Sequence, residues 1–438
     1  GYVQEEFFIA GTAQAYVAAR PWGDDGRWDA VPNPDATAPY TTRLLVRRPT
    51  DPARFNGTVL VEWMNVSGGL DAEPDWIWTH EELVREGYAY VGVSAQRVGT
   101  NFLRGSDPGR YGTIAHPGDS FSYDMFSQAG RAVLAPAAGG PQPLGDLTPA
   151  VRALLADGES QSAGRMFTYV DAVHPLARVY DGFHIHSTGG GANLSQPAEA
   201  GSPPTPTVPD PTLPRPRSVI RTDLREPVLV VNTESDVARN PAVGPSAIHD
   251  QPDGRRLRVW ELTGTAHVDR FLLDIDCGGA PINDGPQAYA LRAAVHALAR
   301  WVRTGIPAPR GDRFAIEAGA VARDPVTGLA VGGIRLPDVV VPNRTLSGFR
   351  PPGAIGSNPF CFLAGSSDPW DGDADPWDGQ PGLDPSPTPE PDLAALYPDH
   401  ATYVFRYTLS TLASAFHGFV RPRDVPALVQ QANQAPVP

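Results

Sequence analysis

Short continuous apolar runs alternate with longer amphipathic stretches along most of the chain. Apolar runs typical of buried parallel strands occupy residues 57–63, 87–94, 151–155, 179–185, 227–231 and 257–260. Amphipathic stretches that predict helices occupy residues 79–86, 123–133, 165–173 and 288–304. Strands that alternate with helices in this way predict an α/β fold with a doubly wound, mostly parallel sheet.

Two segments interrupt this alternation. Residues 191–219 are poor in large apolar side chains and hold seven prolines between positions 203 and 216. This composition predicts a lid-like loop insertion and not a core element. Residues 364–392 are rich in Asp, Pro and Gly and predict a long surface loop.

The two ends of the chain extend beyond the alternating region. Residues 1–50 mix strand-like stretches with turns and are expected to form an N-terminal extension. Residues 310–438, which return to a helical pattern at 400–434, are expected to pack on the core as a C-terminal extension. Residues 1–438 therefore read as a single decorated domain.

Composition narrows the classes of partner. The formal net charge is −14 and the sequence shows no basic cluster, which argues against nucleic-acid binding. No apolar run is long enough to span a membrane. The chain starts at Gly1 without Met, as a processed protein would, so we expect an exported protein, with a cytoplasmic one as the alternative. Cys277 and Cys361 form either a disulfide or two buried thiols.

Candidate chemistry begins at residues 158–164, Gly-Glu-Ser-Gln-Ser-Ala-Gly, between a predicted strand and a predicted helix. A nucleophile elbow requires this context, because the sharp turn lifts the serine hydroxyl above the sheet edge. Gly158 occupies the first small position of the motif, and Ser162 replaces the usual second glycine. Ser160 is therefore the candidate nucleophile.

A serine nucleophile needs a base and an acid that follow it in the chain. His267 comes after the last predicted strand, which is where folds with a nucleophile elbow carry the general base. Two carboxylates, Glu234 and Asp236, follow the strand before it. Asp236 fits the position of the acid better, and Glu234 stays as the alternative acid.

An oxyanion hole should accompany these groups. One donor is expected to be the backbone amide of Gln161, directly after the nucleophile. The other is expected from the turn after the strand at 57–63, as the amide of Asn65 or of Val66. The predicted machinery needs no organic cofactor.

The chain resembles a bacterial family of α/β-hydrolase-domain proteins described as serine esterases. The matching stretches are residues 55–67, 122–130, 158–165 and 332–337, and the Gly-Glu-Ser-Gln-Ser elbow is the most specific of them. The resemblance spans most of the chain, with the acidic loop near 366–386 outside it. It implies the α/β-hydrolase fold with Ser160 as nucleophile and supports Asp236 and His267.

Two histidines are candidates for lining a substrate pocket. His186 ends the strand after the elbow helix, on the same face as His184, and His116 lies in a loop that often borders the pocket. Glu62 is a carboxylate inside an apolar strand, so it needs a partner, and Arg97 is the predicted one.

Metal binding is not expected. Asp371, Asp373, Asp375 and Asp378 alternate like the ligands of a calcium loop, but Pro376 stands where that loop needs glycine. A solvated acidic loop is the favoured interpretation. The sequence contains no His/Cys cluster that indicates zinc or iron.

The expected reaction is hydrolysis of a small-molecule carboxylic ester through an acyl-enzyme. The same residues could serve an acyltransferase, or a lactone or amide hydrolase. A non-catalytic binding module on this fold is the alternative from another class, and an intact Ser-His-Asp set argues against it.

Overall fold

A computed structural model describes residues 1–137, 139–197, 203, 205–277, 281–350, 358–371 and 390–438. Eight of its strands form one sheet. They are β1 (Tyr2–Ala18), β2 (Ala30–Pro49), β3 (Thr58–Trp63), β4 (Ala89–Val93), β5 (Ala153–Glu159), β6 (Gly182–His186), β7 (Val228–Thr233) and β8 (Leu257–Leu262).

The order of strands in the sheet is β1-β2-β4-β3-β5-β6-β7-β8. Strand β3 pairs in parallel with β4 and β5, and β5 pairs in parallel with β6. Strand β2 pairs antiparallel with β1 and β4. The predicted doubly wound, mostly parallel sheet is therefore confirmed, and each predicted strand lies within a few residues of an observed one.

The central strands are continuous apolar runs because both of their faces are covered. All six residues of β3 are buried, and so are all seven residues of β5. A strand with one solvated face would alternate polar and apolar positions instead.

Thirteen helices lie in the described ranges. They are α1 (Pro74–Glu86), α2 (Arg97–Ser106), α3 (Pro108–Tyr111), α4 (Ser122–Leu134), α5 (Gln161–Thr168), α6 (His174–Ala177), α7 (Glu234–Val237), α8 (Ala247–Asp250), α9 (Gln287–Thr304), α10 (Pro337–Val340), α11 (Leu393–Leu396), α12 (His400–His417) and α13 (Val425–Gln434). No helix in the part of the chain that the structure describes is long and apolar enough to cross a membrane.

Local sequence sets the ends of these helices. Helix α1 starts at Pro74, whose fixed φ suits a first turn, and ends at Gly87, whose φ of 77° is left-handed. The side chain of Asp399 caps α12 by accepting a hydrogen bond from the Thr402 amide at 2.7 Å. The helical pattern predicted at 400–434 corresponds to α12 and α13.

The chain divides into two compact units. The first comprises Gly1–Val230, Asp253–Leu257 and Leu298–Pro307, and the second comprises Val231–Pro252, Arg258–Ala297 and Ala308–Pro438. The second unit holds two small antiparallel sheets, β9 (Ile316–Glu317) with β10 (Ala320–Val321) and β11 (Arg344–Ser347) with β12 (Ser366–Pro369).

The N-terminal residues differ from the expected extension, because β1 and β2 belong to the main sheet. Their hairpin pairs Tyr2 with Pro49 at one end and Ala18 with Ala30 at the other. The mixed strand-like pattern of residues 1–50 conceals these two long strands, since they carry turn-type residues such as Pro32 and Pro34. The described residues of the Pro-rich segment are irregular apart from one bridge between Ser195 and Val208. A lid role for this segment stays a prediction.

Candidate active site

Ser160 lies at the sharp turn between β5 and α5. Its φ of 57° and ψ of −116° belong to a region that L-residues avoid. Its backbone amide donates to the carbonyl of His186 at 2.9 Å, which ties the turn to the end of β6. Such backbone strain, of order 1–3 kcal/mol, persists only where surrounding contacts fix it, and it is the conformation of a nucleophile elbow.

Small residues on both sides of Ser160 make the turn possible. A β-carbon on Gly158 would lie 2.9 Å from the carbonyl oxygen of Ser162, so only glycine fits there. Ser162 is fully buried and its hydroxyl donates to the carbonyl of Met64 at 3.2 Å. That hydrogen bond satisfies the buried hydroxyl and explains why serine can take the second small position.

Of the predicted oxyanion donors, the structure favours Gln161 and Val66. The Asn65 amide donates to Ala72 at 2.8 Å, and the Asn65 side chain donates to the carbonyl and the carboxylate of Glu159, each at 3.0 Å. Asn65 is therefore removed from the two alternatives. The backbone amides of Val66 and Gln161 donate to no group within the described residues.

A cavity of about 710 Å³ opens beside Ser160, within the first unit. Val66 and Gln161 line it together with Ser160. The described part of the Pro-rich segment also contributes to the lining, through Pro209 and Arg215 among others. The volume lies within the range of roughly 300–1,000 Å³ usual for small-molecule sites.

Two of the three charged residues that line this cavity, Arg165 and Asp119, form an ion pair, and the third, Arg215, is exposed and donates to the Asn193 side chain at 3.1 Å. Arg165 donates to the carboxylate of Asp119 at 3.1 Å and to the carbonyl of Asn193 at 2.9 Å. Burial would raise the pKa of Asp119, but the charges of Arg165 and His116 hold this pKa below its ordinary value. The Arg165–Asp119 pair therefore brings little net charge to the cavity.

Asp236 and His267 form a pair in the second unit. The Nδ1 of His267 lies 2.6 Å from one carboxylate oxygen of Asp236. The other oxygen accepts hydrogen bonds from the amide and the hydroxyl of Thr233, at 2.9 Å and 2.6 Å. Burial favours the neutral acid, yet His267 and Thr233 hold the pKa of Asp236 well below its ordinary value. The carboxylate is thus ionised and can fix one tautomer of the imidazole.

Glu234, the alternative acid, has other partners. Its carboxylate accepts from the amides of Gly264 and Gly348, at 2.7 Å and 2.9 Å, and lies 2.8 Å from a guanidinium nitrogen of Arg323. These contacts join three segments of the second unit. The structure therefore brings Asp236, and not Glu234, to His267.

A network of fully buried acids and imidazoles lies behind the elbow. The Nδ1 of His184 lies 2.8 Å from Asp157, and the Nδ1 of His186 lies 2.8 Å from Asp75. Ligand atoms of the two carboxyl groups lie within 4.8 Å of each other, so the two groups interact electrostatically. Burial raises the pKa of Asp157 to about 7 and, together with the charge of Asp157, raises the pKa of Asp75 to about 6. The pair therefore shares a proton near neutral pH.

The same network contains a candidate metal-ligand set. One ligand atom from each of Asp75, Asp157 and His184 lies within 4.8 Å of the others. Two carboxylates and an imidazole can hold a divalent cation. Each of the two imidazoles already lies at hydrogen-bond distance from one of the carboxyl groups. We therefore interpret the cluster as a hydrogen-bonded network.

The histidines expected to line the pocket do not line the cavity beside Ser160 in the described residues. His186 is fully buried within the acid network, so the expectation for it is wrong at this cavity. His116 lies 2.9 Å from the carbonyl of Ala95 through Nε2 and accepts from the Gly118 amide at 3.1 Å through Nδ1. These backbone contacts occupy both ring nitrogens.

The expected Glu62–Arg97 pair is also wrong. Glu62 accepts from the amides of Asp75 and Trp76 at the start of α1, each at 3.1 Å, and from the hydroxyl of Tyr90 at 2.8 Å. Burial and the neighbouring Asp75 raise the pKa of Glu62. Two amides and a hydroxyl thus satisfy the buried carboxyl group of Glu62 without a guanidinium partner.

The second unit settles one open alternative. Cys277 and Cys361 form a disulfide, with their Cα atoms 5.4 Å apart and a separation of 84 positions in sequence. Of the four aspartates compared with a calcium loop, Asp371 is described, whereas Asp373, Asp375 and Asp378 lie outside the described residues.

Comparison with known families agrees with this geometry. A family model described as "Alpha/beta hydrolase domain" matches residues 1–430. The chain belongs to this family. Within this α/β-hydrolase domain, Ser160 follows β5, Asp236 follows β7 and His267 follows β8 along the chain. No curated protein matches the chain.

Solved structures with a similar fold have low sequence identity. An α/β serine hydrolase without a lid from Xanthomonas campestris is 13% identical and has a TM-score of 0.34, covering 66% of this chain and 95% of that chain. A fungal esterase from Rhizomucor miehei is 12% identical with a TM-score of 0.37, covering 70% and 86%. A poly(3-hydroxybutyrate) depolymerase from Bordetella parapertussis is 13% identical with a TM-score of 0.32, covering 68% and 92%.

Two features of the site were missed from the sequence. Trp22 and Trp28 line the cavity from the loop between β1 and β2, far from the motif in sequence. His184, a polar residue within an apolar run, gave a signal for the buried network, because buried ionisable groups need partners. Asp75, in the first turn of α1, is the partner of His186 in this network, and no local pattern in the sequence indicates it.

Proposed function

We propose that the protein is a serine hydrolase that cleaves carboxylic esters through an acyl-enzyme. The observation that carries the proposal is the strained, positive-φ conformation of Ser160, which lines the cavity. The amides of Gln161 and Val66 line the same cavity without protein partners among the described residues. A strained serine beside two unused amide donors suits acyl transfer.

In the proposed mechanism, the Ser160 hydroxyl attacks the carbonyl carbon of the ester while His267 takes its proton. The amides of Gln161 and Val66 stabilise the negative oxygen of the tetrahedral intermediate. The intermediate expels the alcohol, which receives the proton from His267, and the acyl group stays on Ser160. Water, activated by His267, then releases the acid. Asp236 orients the imidazole and stabilises its protonated form throughout.

Labelling with a fluorophosphonate probe tests the proposal directly, because the probe reacts with an activated serine. We expect one adduct, located on Ser160 by peptide mass spectrometry and absent from Ser160→Ala. Ser162→Ala is the matched control, since that hydroxyl is buried and bonded to Met64. Labelling of another serine, or none at all, would contradict the mechanism.

We also propose that the protein works in an oxidising compartment. The disulfide between Cys277 and Cys361 supports this, because such bonds persist mainly outside the reducing cytosol. Fractionation of the native cells with an antibody to the protein tests it. Recovery only from the cytosol, with both thiols reduced, would refute this location.

A further inference from the structure

The aromatic wall of the cavity is built from two stacked indoles. The rings of Trp22 and Trp28 have centroids 4.8 Å apart and planes inclined by 8°. Both residues lie in the loop between β1 and β2 and line the cavity that contains Ser160. Trp28 covers one face of Trp22, so a ring added to this stack would meet the other face.

Trp28 is held rigidly and supports Trp22. It is 2% exposed, and its indole nitrogen donates to the carbonyl of Gly23 at 3.1 Å. Its ring also packs against Phe167, with centroids 5.8 Å apart. A β-carbon on Gly191 would lie 2.5 Å from the Trp28 ring, so the backbone there closes directly on the indole. Trp22, which is half-buried, therefore rests on a fixed platform.

The rest of the lining offers few large aliphatic side chains that could pack against a flexible alkyl chain. Among the described residues the lining contains no Leu, Ile, Met or Phe side chain. Its apolar surfaces are the two indoles, the prolines Pro209 and Pro216, and the small residues Val66 and Ala192. Indoles and proline rings are flat, and flat surfaces suit a planar ring, which loses little conformational freedom on binding.

The buried charged groups of the cavity are engaged with each other, and the exposed Arg215 donates to the Asn193 side chain at 3.1 Å. The carboxylate of Asp119 already accepts from Arg165, from Gln96 at 3.2 Å and from the Arg97 amide at 2.9 Å. Three of its roughly four acceptor sites are thus already used, which leaves little of it for the hydroxyl groups of a sugar. Arg165 is engaged with Asp119, which reduces the attraction for an anionic ligand. An aromatic ring needs neither kind of partner.

We propose that the substrate is an ester that carries an aromatic ring, and that this ring stacks on Trp22. The inference rests on the proposed esterase function, because Trp22 acts on a substrate that Ser160 attacks in the same cavity. Stacking on Trp22 stabilises only a substrate that has an aromatic ring of its own. Removing the Trp22 ring should therefore weaken the binding of ring-bearing esters selectively.

The test compares two pairs of esters by pH-stat: phenyl acetate with ethyl acetate, and methyl benzoate with methyl butanoate. Trp22→Ala should lower kcat/KM for a ring-bearing ester about tenfold and for its ring-free partner by less than about twofold. Trp22→Tyr keeps a ring and should retain most of the activity. It also covers the case in which the alanine variant fails to fold.

Trp76→Ala is the matched control. Trp76 is also half-buried, but it packs beneath the guanidinium of Arg47, 4.2 Å from the ring centroid, and does not line the cavity. This variant should leave the ratio between ring-bearing and ring-free esters unchanged. Far-UV circular dichroism and a thermal melt establish that each variant is folded.

The outcomes separate this inference from the proposed function. Wild-type hydrolysis of ring-free esters, with equal losses for both classes in Trp22→Ala, would overturn the role of Trp22 and leave the esterase proposal standing. A selective loss on glucose acetate, but not on the aryl esters, would also overturn it and identify a sugar ligand. No hydrolysis of any ester by the folded wild type would refute both proposals.

Discussion

Replacing Asp157 by asparagine should change how stability depends on pH. In the folded chain burial raises the pKa of Asp157 from its ordinary 3.8 to about 7, and the carboxyl group of Asp75 lies within 4.8 Å. The native state therefore keeps a proton that the unfolded chain has lost above pH 4. A raised acid pKa gives stability that is fully present below pH 4 and is lost as pH rises through 7.

The size of the effect follows from these values. One pKa unit corresponds to about 1.4 kcal/mol, and the shift is about three units, so the shared proton contributes on the order of 4 kcal/mol at low pH. The proton belongs to the Asp75–Asp157 pair, and removing either acid removes this contribution. The introduced asparagine side chain keeps the shape of the acid and can donate to Asp75, but it cannot titrate.

Urea unfolding of the wild type and of Asp157→Asn at pH 5, 6, 7 and 8 measures the effect. Glu62, Tyr90, His184 and His186 also face this network, and burial lowers the pKa of His184. These groups are common to both proteins, so the difference between the two unfolding free energies largely cancels them. We expect the cost of Asp157→Asn to be greatest at pH 5 and smaller by a few kcal/mol at pH 8.

Asp35→Asn is the control, because Asp35 is exposed on β2. Its effect on the unfolding free energy should be small and independent of pH. A cost of Asp157→Asn that is constant from pH 5 to pH 8 would refute the shared proton. A cost that grows with pH would mean that the ionised carboxylate is the stabilising form.

Three further outcomes are expected. Ser160→Ala should abolish ester hydrolysis with an unchanged thermal melt, and activity within tenfold of wild type would remove this serine from the mechanism. Asp236→Asn should lower kcat by up to about 10⁴-fold, whereas Glu234→Gln should mainly lower the melting temperature; a larger kcat loss in the second variant would exchange their roles. Reduction of the Cys277–Cys361 disulfide, which closes a loop across 84 positions, should cost roughly 4 kcal/mol of stability, and an unchanged unfolding midpoint in reductant would contradict this.

The parts of the fold that the sequence predicts well are those that depend on local pattern. Strands such as β3 are continuous apolar runs because they are covered on both faces, and the pattern records that directly. The elbow at Ser160 was found because a strand, a small-residue motif and a helix adjoin one another in the chain. Asp236 was preferred to Glu234 from its distance to a strand end, and the structure places it on His267.

The parts that the sequence predicts poorly depend on contacts between distant residues. Glu62 was assigned to Arg97 because neighbouring strands suggested it, whereas its partners are two amides at the start of α1 and a tyrosine hydroxyl. Asn65 was a candidate oxyanion donor until its amide proved to be bonded to Ala72. Neither contact leaves a signal in local periodicity, since each depends on how a loop closes in three dimensions.

In the long β1–β2 hairpin, the residues that contact the cavity lie in the loop, apart from the elbow and its amides. Its two strands are anchored to each other over their whole length, while the connection between Ala18 and Ala30 carries Trp22 and Trp28 into the cavity. Substitutions in that connection leave the elbow, its amides and the parallel strands untouched. A library of variants at residues 20–27 could therefore be screened for altered ligand preference while the elbow at Ser160 stays unchanged. Gene duplicates of this chain could diverge in substrate range through this one loop.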